Sequence, residues 1–315
     1  MKMHRSQGVA SCECAAFLAV ALSVGALSAS ARETPDSLQF RFVTFVVPGS
    51  PFTAAYGIDD TGLVSGFYYD AGFGAGHGLL WREGDLQTLD APGYVGETFL
   101  GDSSDFGLVI GNAGNPSLLQ YAVEYDVRTG DWAFLPSIKD LPQSWGNGMN
   151  NAGVAAGEAC TVAGVECVGW TWNGRKYTSM FSVPAASPSV GGTNANSIND
   201  RGQIVGSYYD ASGFSHGFLK DDDDYTNIDL GAGGTSAYGI NDAGEIVGNY
   251  YDAQGISHGF IGKPGQFATF DYPGSGVIGT NIFGVNARGD IAGWWADASH
   301  VVHAFVGYRV SRRSA

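Results

Sequence analysis

The sequence predicts an all-β chain assembled from copies of one unit, and three observations carry that expectation. The first is a stretch, YGINDAGEIVGNYYDAQGISHGF from Tyr238 to Phe260, that recurs with drift along nearly the whole chain. The second is composition. Charged residues make up only 15%, against 48 Gly, 18 Phe, 15 Tyr and 7 Trp, a balance that suits short strands and tight turns and leaves little room for helix. The third is a mismatch of the ends. QFRFVTFVVPG, Gln39 to Gly49, resembles QFATFDYPG, Gln266 to Gly274, which closes a repeat, whereas the last copy stops after HAFVGYRV, His303 to Val310. The N-terminus supplies the piece that the C-terminus lacks.

Each copy turns on Asn241-Asp242-Ala243-Gly244 or its equivalent. Asn and Asp bond back to the local backbone, and Gly accepts the positive φ that other residues resist. That glycine returns at Gly62, Gly107, Gly153, Gly202, Gly244 and Gly289, and a second follows four positions later each time, at Gly66, Gly111, Gly157, Gly206, Gly248 and Gly293. Within one copy the runs Thr235 to Asn241, Glu245 to Asp252, Ile256 to Gly262 and Gln266 to Tyr272 read as four strands. Four short strands in about 45 residues are the signature of a β-propeller blade. The expected fold is therefore a six-bladed β-propeller, four strands per blade, closed by an N-terminal outer strand. A β-solenoid would have shorter coils and no need of exchanged ends. In the second hairpin, Ser212-Gly213 is expected to form a two-residue turn, which sets Tyr209 opposite His216. The same arithmetic sets Tyr251 opposite His258, Ala296 opposite His303, and Cys160 opposite Cys167. One extra residue between Tyr69 and His77 predicts a bulge or longer loop in the first copy.

Residues 1–31 have the layout of a secretory signal: basic Lys2, His4 and Arg5, an apolar run from Ala15 to Leu27, and Ala29-Ser30-Ala31 as the cleavage site. The domain reading is a signal at 1–31, a leader at 32–38, the propeller at 39–310 and a tail at 311–315. Cleavage removes Cys12 and Cys14 and leaves Cys160 and Cys167 as an even pair in an oxidising compartment, hence a disulfide. The formal net charge is −15, and losing Lys2, Arg5 and Glu13 makes the exported chain one unit more negative. Such a balance argues against nucleic acid and anionic membrane surfaces as partners. The protein is expected to be secreted or periplasmic, monomeric, and free of membrane after signal removal, with an extracellular ligand or protein as its partner.

The triplets His216-Gly217-Phe218, His258-Gly259-Phe260 and His303-Ala304-Phe305, each behind an Asn-containing turn and a glycine pair, resemble the bacterial HAF-family extracellular repeat. The resemblance runs over about residues 53–310. It is weakest in the second and third copies, which have Tyr121-Ala122-Val123 and Val168-Gly169-Trp170 instead. It implies export and a propeller-like fold, and it brings no catalytic residues. Four histidines at one repeat position do not make a metal site, because each lies in a different blade and their rings cannot converge on one ion. The run Asp221 to Asp224 lacks the order of an EF-hand loop and reads as a solvated hairpin tip. No HExxH pair or phosphate-binding glycine loop is present.

One place lets residues from every blade converge: the start of each innermost strand. Thr53, Thr98, Ser144, Thr193, Thr235 and Thr280 fall in register there, a hydroxyl in every copy that suits the capping of loop backbone groups. The next position varies, as Ala54, Phe99, Trp145, Asn194, Ser236 and Asn281. Phe99, Trp145, Asn194, Ser236 and Asn281 are the ligand-binding candidates, aromatic faces for stacking and amides for hydrogen bonds. Catalytic and metal residues are expected to be none. The reading is an exported, non-catalytic propeller that binds carbohydrate or peptide without a cofactor. A calcium-dependent, lactonase-like propeller hydrolase or lyase is the alternative by fold analogy, and calcium the one cofactor it would bring. A protein-interaction scaffold is the third.

Overall fold

A computed structural model describes residues 39–93, 96–114 and 119–310. The expected signal, leader and tail lie outside these residues. All regular structure among them is β, in 24 strands. After an N-terminal strand, Phe40–Phe45, come six units, each a run of antiparallel neighbours. Their first strands are Phe52–Ile58, Glu97–Ser103, Gln143–Met149, Thr193–Ile198, Thr235–Ile240 and Val277–Val285. Units three, four and five are separate four-stranded sheets. Units six, one and two are joined into a twelve-stranded sheet by single parallel bridges, Phe52 to Val302 and Gly76 to Glu97. Unit six has three strands of its own, and Phe40–Phe45 lies antiparallel to the last of them, from Phe40 opposite Arg309 to Phe45 opposite Ala304. Phe40 and Phe42 set their rings 5.6 and 5.9 Å from that of Phe270, so the exchanged strand is also packed.

The two repeated glycines do different work. The turn glycines sit at φ between +73° (Gly153, Gly244) and +85° (Gly62), the left-handed region that a Cβ disfavours. The second glycines are a matter of space. A Cβ at Gly157 would lie 1.9 Å from the Trp145 carbonyl oxygen, and one at Gly206 2.0 Å from that of Asn194. Opposite these glycines stand Leu79, Val123, Trp170, Phe218, Phe260 and Phe305, all fully buried, so the last residue of each triplet covers a glycine and fills the core between sheets.

The Asn-Asp turns also lock unit to unit. Asn150, Asn199, Asn241 and Asn286 each donate through Nδ2 to the backbone carbonyl of Asn199, Asn241, Asn286 and Asp59 respectively. The neighbouring carboxylates and amide accept from the adjacent unit's backbone: Asp60 N–H donates to Asp105, Asp105 to Asn151, Asn151 to Asp200, Asp200 to Asp242, and Ala287 to Asp60. At the other end of each first strand the six hydroxyls behave as expected. Thr53, Thr98, Thr193, Thr235 and Thr280 accept from the backbone N–H of Val47, Ala91, Val183, Leu230 and Tyr272, and Ser144 from that of Ala122.

The expected register of the second hairpin is corrected by one residue in three units. His216 pairs with Tyr208, His258 with Tyr250 and His303 with Trp295, while His77 pairs with Tyr68. The cause is Asp210. Its Oδ1 accepts from the backbone N–H of Ser212 and Phe214, and Gly213 takes φ +83°, so the loop spans three residues between Asp210 and Phe214 and is not a two-residue turn. In unit three the connection is a residue longer, and Cys160 does face Cys167. The disulfide is formed across that pair, with a Cα separation of 4.2 Å. Asp222 and Asp223 make the tip between the strands Ser215–Asp221 and Asp224–Ile228, and the whole run is exposed.

Candidate functional site: an axial cavity with two unlike halves

The six first strands stand around one cavity of 730 Å³, within the size range of small-ligand sites. Three rings of side chains build it. The first is the variable position beside the hydroxyls, of which Phe99, Trp145, Asn194 and Asn281 line the cavity. Ser236 does not. It is 3% exposed with its hydroxyl 3.5 Å from that of Ser215, and Tyr238 and Tyr251 form the unit-five wall.

The second ring is the cross-strand partner of the first. Phe67 lies opposite Ala54, Asn112 opposite Phe99, Glu158 opposite Trp145, and Trp294 opposite Asn281, and all four partners reach the cavity. They occupy the position just after each second glycine, a signal visible in the sequence but unused there. The third ring comes from bulges. Every first strand slips register two residues beyond the variable position, and Tyr56, Gly101, Asn147, Asn196, Tyr238 and Phe283, skipped there, all line the cavity, whereas Asp102, skipped together with Gly101, does not. A bulge bends the strand and re-aims the extra residue.

The lining is divided. Units five, six and one give mostly aromatics: Phe283 is 4.6 Å from Tyr238 edge-on and 4.7 Å from Tyr56 face to face, with Phe52 and Phe67 stacked at 5.6 Å, and the amide among them, Asn281, accepts through Oδ1 from the Ser257 hydroxyl. Phe67 meets Phe99 at 4.4 Å, so Phe99 joins this half. Units two, three and four give amides and carboxyls. Asn112 donates to Gln120 at 2.8 Å, and Gln120 donates to Glu97. Asn147 donates through Nδ2 to Glu158 and to the carbonyl of Ala195, and Asn196 to that of Ala237. The Oδ1 of Asn194 is buried without a donor. Burial pushes the Glu158 carboxyl up to about 8 against the lowering effect of Asn147, and burial likewise raises Glu97 against Gln120. Trp145 is an aromatic within this second half, packed on Cys160 and Cys167. Phe73, 60% exposed at φ +56°, and His300 at φ +62° stand at the mouth on loops.

The repeat histidines lie elsewhere. His77, His216 and His258 each bond two aspartates, through Nδ1 at 2.7, 2.7 and 2.8 Å and through Nε2 at 3.3, 3.5 and 3.3 Å. His303 bonds Asp297 through Nε2 at 3.0 Å, and Val46 stands on the N-terminal segment where Asp271 stands in the preceding copy. In His77, His216 and His258 these bonds engage both ring nitrogens, and none of the four histidines lines the cavity.

Four-stranded antiparallel sheets arranged with their first strands around a shared axial cavity define an architecture. The fold is a β-propeller. No family model matches the chain, and no curated protein matches it. Solved structures do resemble the propeller. The SapL1 lectin, solved with alpha methyl fucoside, superposes with a TM-score of 0.56 at 14% identity, over 84% of this chain and 98% of that one. AofleA from Arthrobotrys oligospora does so with 0.54 at 13% identity, over 87% and 91%. TolB from Acinetobacter baumannii does so with 0.53 at 9%, over 80% of this chain and 65% of TolB. At such identities the likeness concerns fold.

Proposed function

We propose that this chain is an exported, non-catalytic, six-bladed propeller of the HAF type that binds carbohydrate in its axial cavity. The observation that carries the proposal is the division of the lining into an aromatic half and an amide-and-carboxyl half. A pyranose has the matching shape, a C–H face that packs on aromatic rings and an edge of hydroxyls that hydrogen-bonds amides. Asn194 Oδ1, buried without a donor, suits a ligand hydroxyl. Closure by the N-terminal strand is supported by the ladder from Phe40 to Phe45, by the Val47 to Thr53 bond, and by the bonds of Asn286 and Ala287 to unit one. The Cys160–Cys167 disulfide fits an oxidising, extracytoplasmic setting. The lectin SapL1 and AofleA share the fold, which is compatible with this reading without supplying its ligand.

The test is a panel of immobilised mono- and oligosaccharides, followed by calorimetry on the strongest binder. Trp145→Ala and Asn194→Ala should each weaken binding about tenfold or more, roughly 1.4 kcal/mol, while His258→Ala should leave it within about twofold. Binding lost with His258→Ala in a folded protein, and kept in the two axial variants, would move the site into the blades and refute the proposal.

A further inference from the structure

We propose that the sugar recognised here carries a protonated amine, a hexosamine unit whose ring lies against the aromatic half and whose ammonium is received by Glu158 and Glu97. The inference rests on the carbohydrate reading and narrows it to a charge class. Its starting point is an imbalance. Two carboxyls line the cavity, and no lysine or arginine does. Glu158 is 4% exposed, and its one side-chain partner is the neutral amide of Asn147. Glu97 likewise has the neutral amide of Gln120.

A carboxylate offers about four acceptor sites, and burying it without a cation is costly. Burial accordingly pushes Glu158 up to about 8, so near neutrality the empty site holds it mainly protonated. If the role of Glu158 were only to anchor Asn147, a glutamine would accept the same bond without that cost. A carboxyl gains something over an amide when a cation arrives. The ammonium would also find an aromatic beside the acid, because Trp145 is the cross-strand neighbour of Glu158 and is held in place by the disulfide. The chain as a whole, at −15, draws cations toward it. Capture of the ammonium form requires Glu158 to give its proton to solvent, so binding is coupled to the release of up to one proton. Affinity for the ammonium form then rises between pH 5 and 7.

The experiment uses the full exported chain with glucosamine, N-acetylglucosamine, glucose and choline as probes. Calorimetry is run in two buffers of different ionisation enthalpy at pH 6.5, on the wild type, Glu158→Gln and Glu97→Gln. Glucosamine is expected to bind about tenfold or more tightly than glucose or N-acetylglucosamine, with proton release. Glu158→Gln should remove both the preference and the proton release. Glu97→Gln should reduce the preference in part. If the neutral sugars bind as well as glucosamine, the amine assignment is overturned and the carbohydrate reading survives. If choline binds and no sugar does, the carbohydrate reading falls, and the hexosamine with it. If Glu158→Gln keeps the full preference, Glu158 is not the receptor. Should that variant misfold, the wild-type ranking and its proton release decide the matter alone.

Discussion

Substituting alanine for the two glycines of one unit separates strain of conformation from lack of space. At Gly153 the backbone holds φ +73° and nothing lies within 4 Å of where a Cβ would stand. The cost of Gly153→Ala is therefore the left-handed conformation alone, about 1–2 kcal/mol. At Gly157 a Cβ would fall 1.9 Å from the Trp145 carbonyl oxygen and 2.4 Å from the Trp170 ring, where ordinary contact is 3.4–4 Å. The Trp145 carbonyl belongs to the strand edge beside the bulge and cannot turn away as a side chain can. Parting the strands by more than an ångström forfeits about two ladder hydrogen bonds, roughly 1 kcal/mol each, and displaces the fully buried Trp170 at about 2 kcal/mol or more. The expected loss for Gly157→Ala is about 4 kcal/mol, a large share of the roughly 5–15 kcal/mol that holds a domain together. Urea titration followed by circular dichroism reads both variants. With a slope near 3 kcal/mol per M the midpoint should fall by about 1.3 M for Gly157→Ala and by about 0.3–0.7 M for Gly153→Ala. Equal midpoints would refute the account of the second glycine as a crossing too close for any side chain.

Other expectations concern closure, the disulfide and pH. Deleting residues 32–49 removes the strand on Val302–Arg309 and the rings of Phe40 and Phe42, and should cost several kcal/mol and produce aggregation, seen by light scattering; a monomeric variant with unchanged melting would speak against closure. Reducing the Cys160–Cys167 bond, which closes a loop with a sequence separation of 7, should lower stability by about 2–3 kcal/mol and weaken ligand binding by loosening Trp145; unchanged affinity after reduction would detach the disulfide from the site. Glu158 is raised from 4.5 to about 8, so between those values the folded state binds a proton that the unfolded chain has lost, and stability falls with rising pH by up to about 1.4 kcal/mol per pH unit. His258, raised chiefly by its bond to Asp271, adds in the same direction above 6.5, because the stability it contributes below that value is lost as pH passes its folded value. Glu158→Gln should flatten the decline measured by thermal melts from pH 5 to 8, and an unaltered slope would contradict the assignment.

What repeats is legible in the chain, because it reports on the backbone. The turn glycines, the six hydroxyls from Thr53 to Thr280 and the matched ends are demands made once per unit, and periodicity exposes them. Phe99, Trp145, Asn194 and Asn281 are legible for the opposite reason, as departures from sameness at a place where the units meet. Ser236 departs too but is covered, and only packing against Ser215 and the bulk of Tyr238 reveals that. The remaining lining depends on pairing. Glu158 enters the cavity because it faces Trp145 across a hairpin, and Asn147 and Tyr238 because a bulge re-aims them. Register in the second hairpin was set by one carboxylate, Asp210 Oδ1, caging a three-residue loop, a preference that Ser212-Gly213 does not announce.

The pairing of Phe40–Phe45 with the final strand carries a consequence for how the molecule comes into being. The partners of Phe40 and Phe45 are Arg309 and Ala304, so Phe40–Phe45 leaves the ribosome long before the strand it pairs with. Until then its backbone edge has no ladder partner, a time set by synthesis at about 5–20 residues per second. The five units that need no exchanged strand can form as they emerge, and the final snap is a contact of very long sequence separation, which folds late. A nascent chain stalled before Val302 would hold Phe40–Phe45 without its ladder partner, open to capture by a chaperone or a second copy. The pairing that covers the edge of Val302–Arg309 thus leaves the edge of Phe40–Phe45 open until both sides of the ladder have been made.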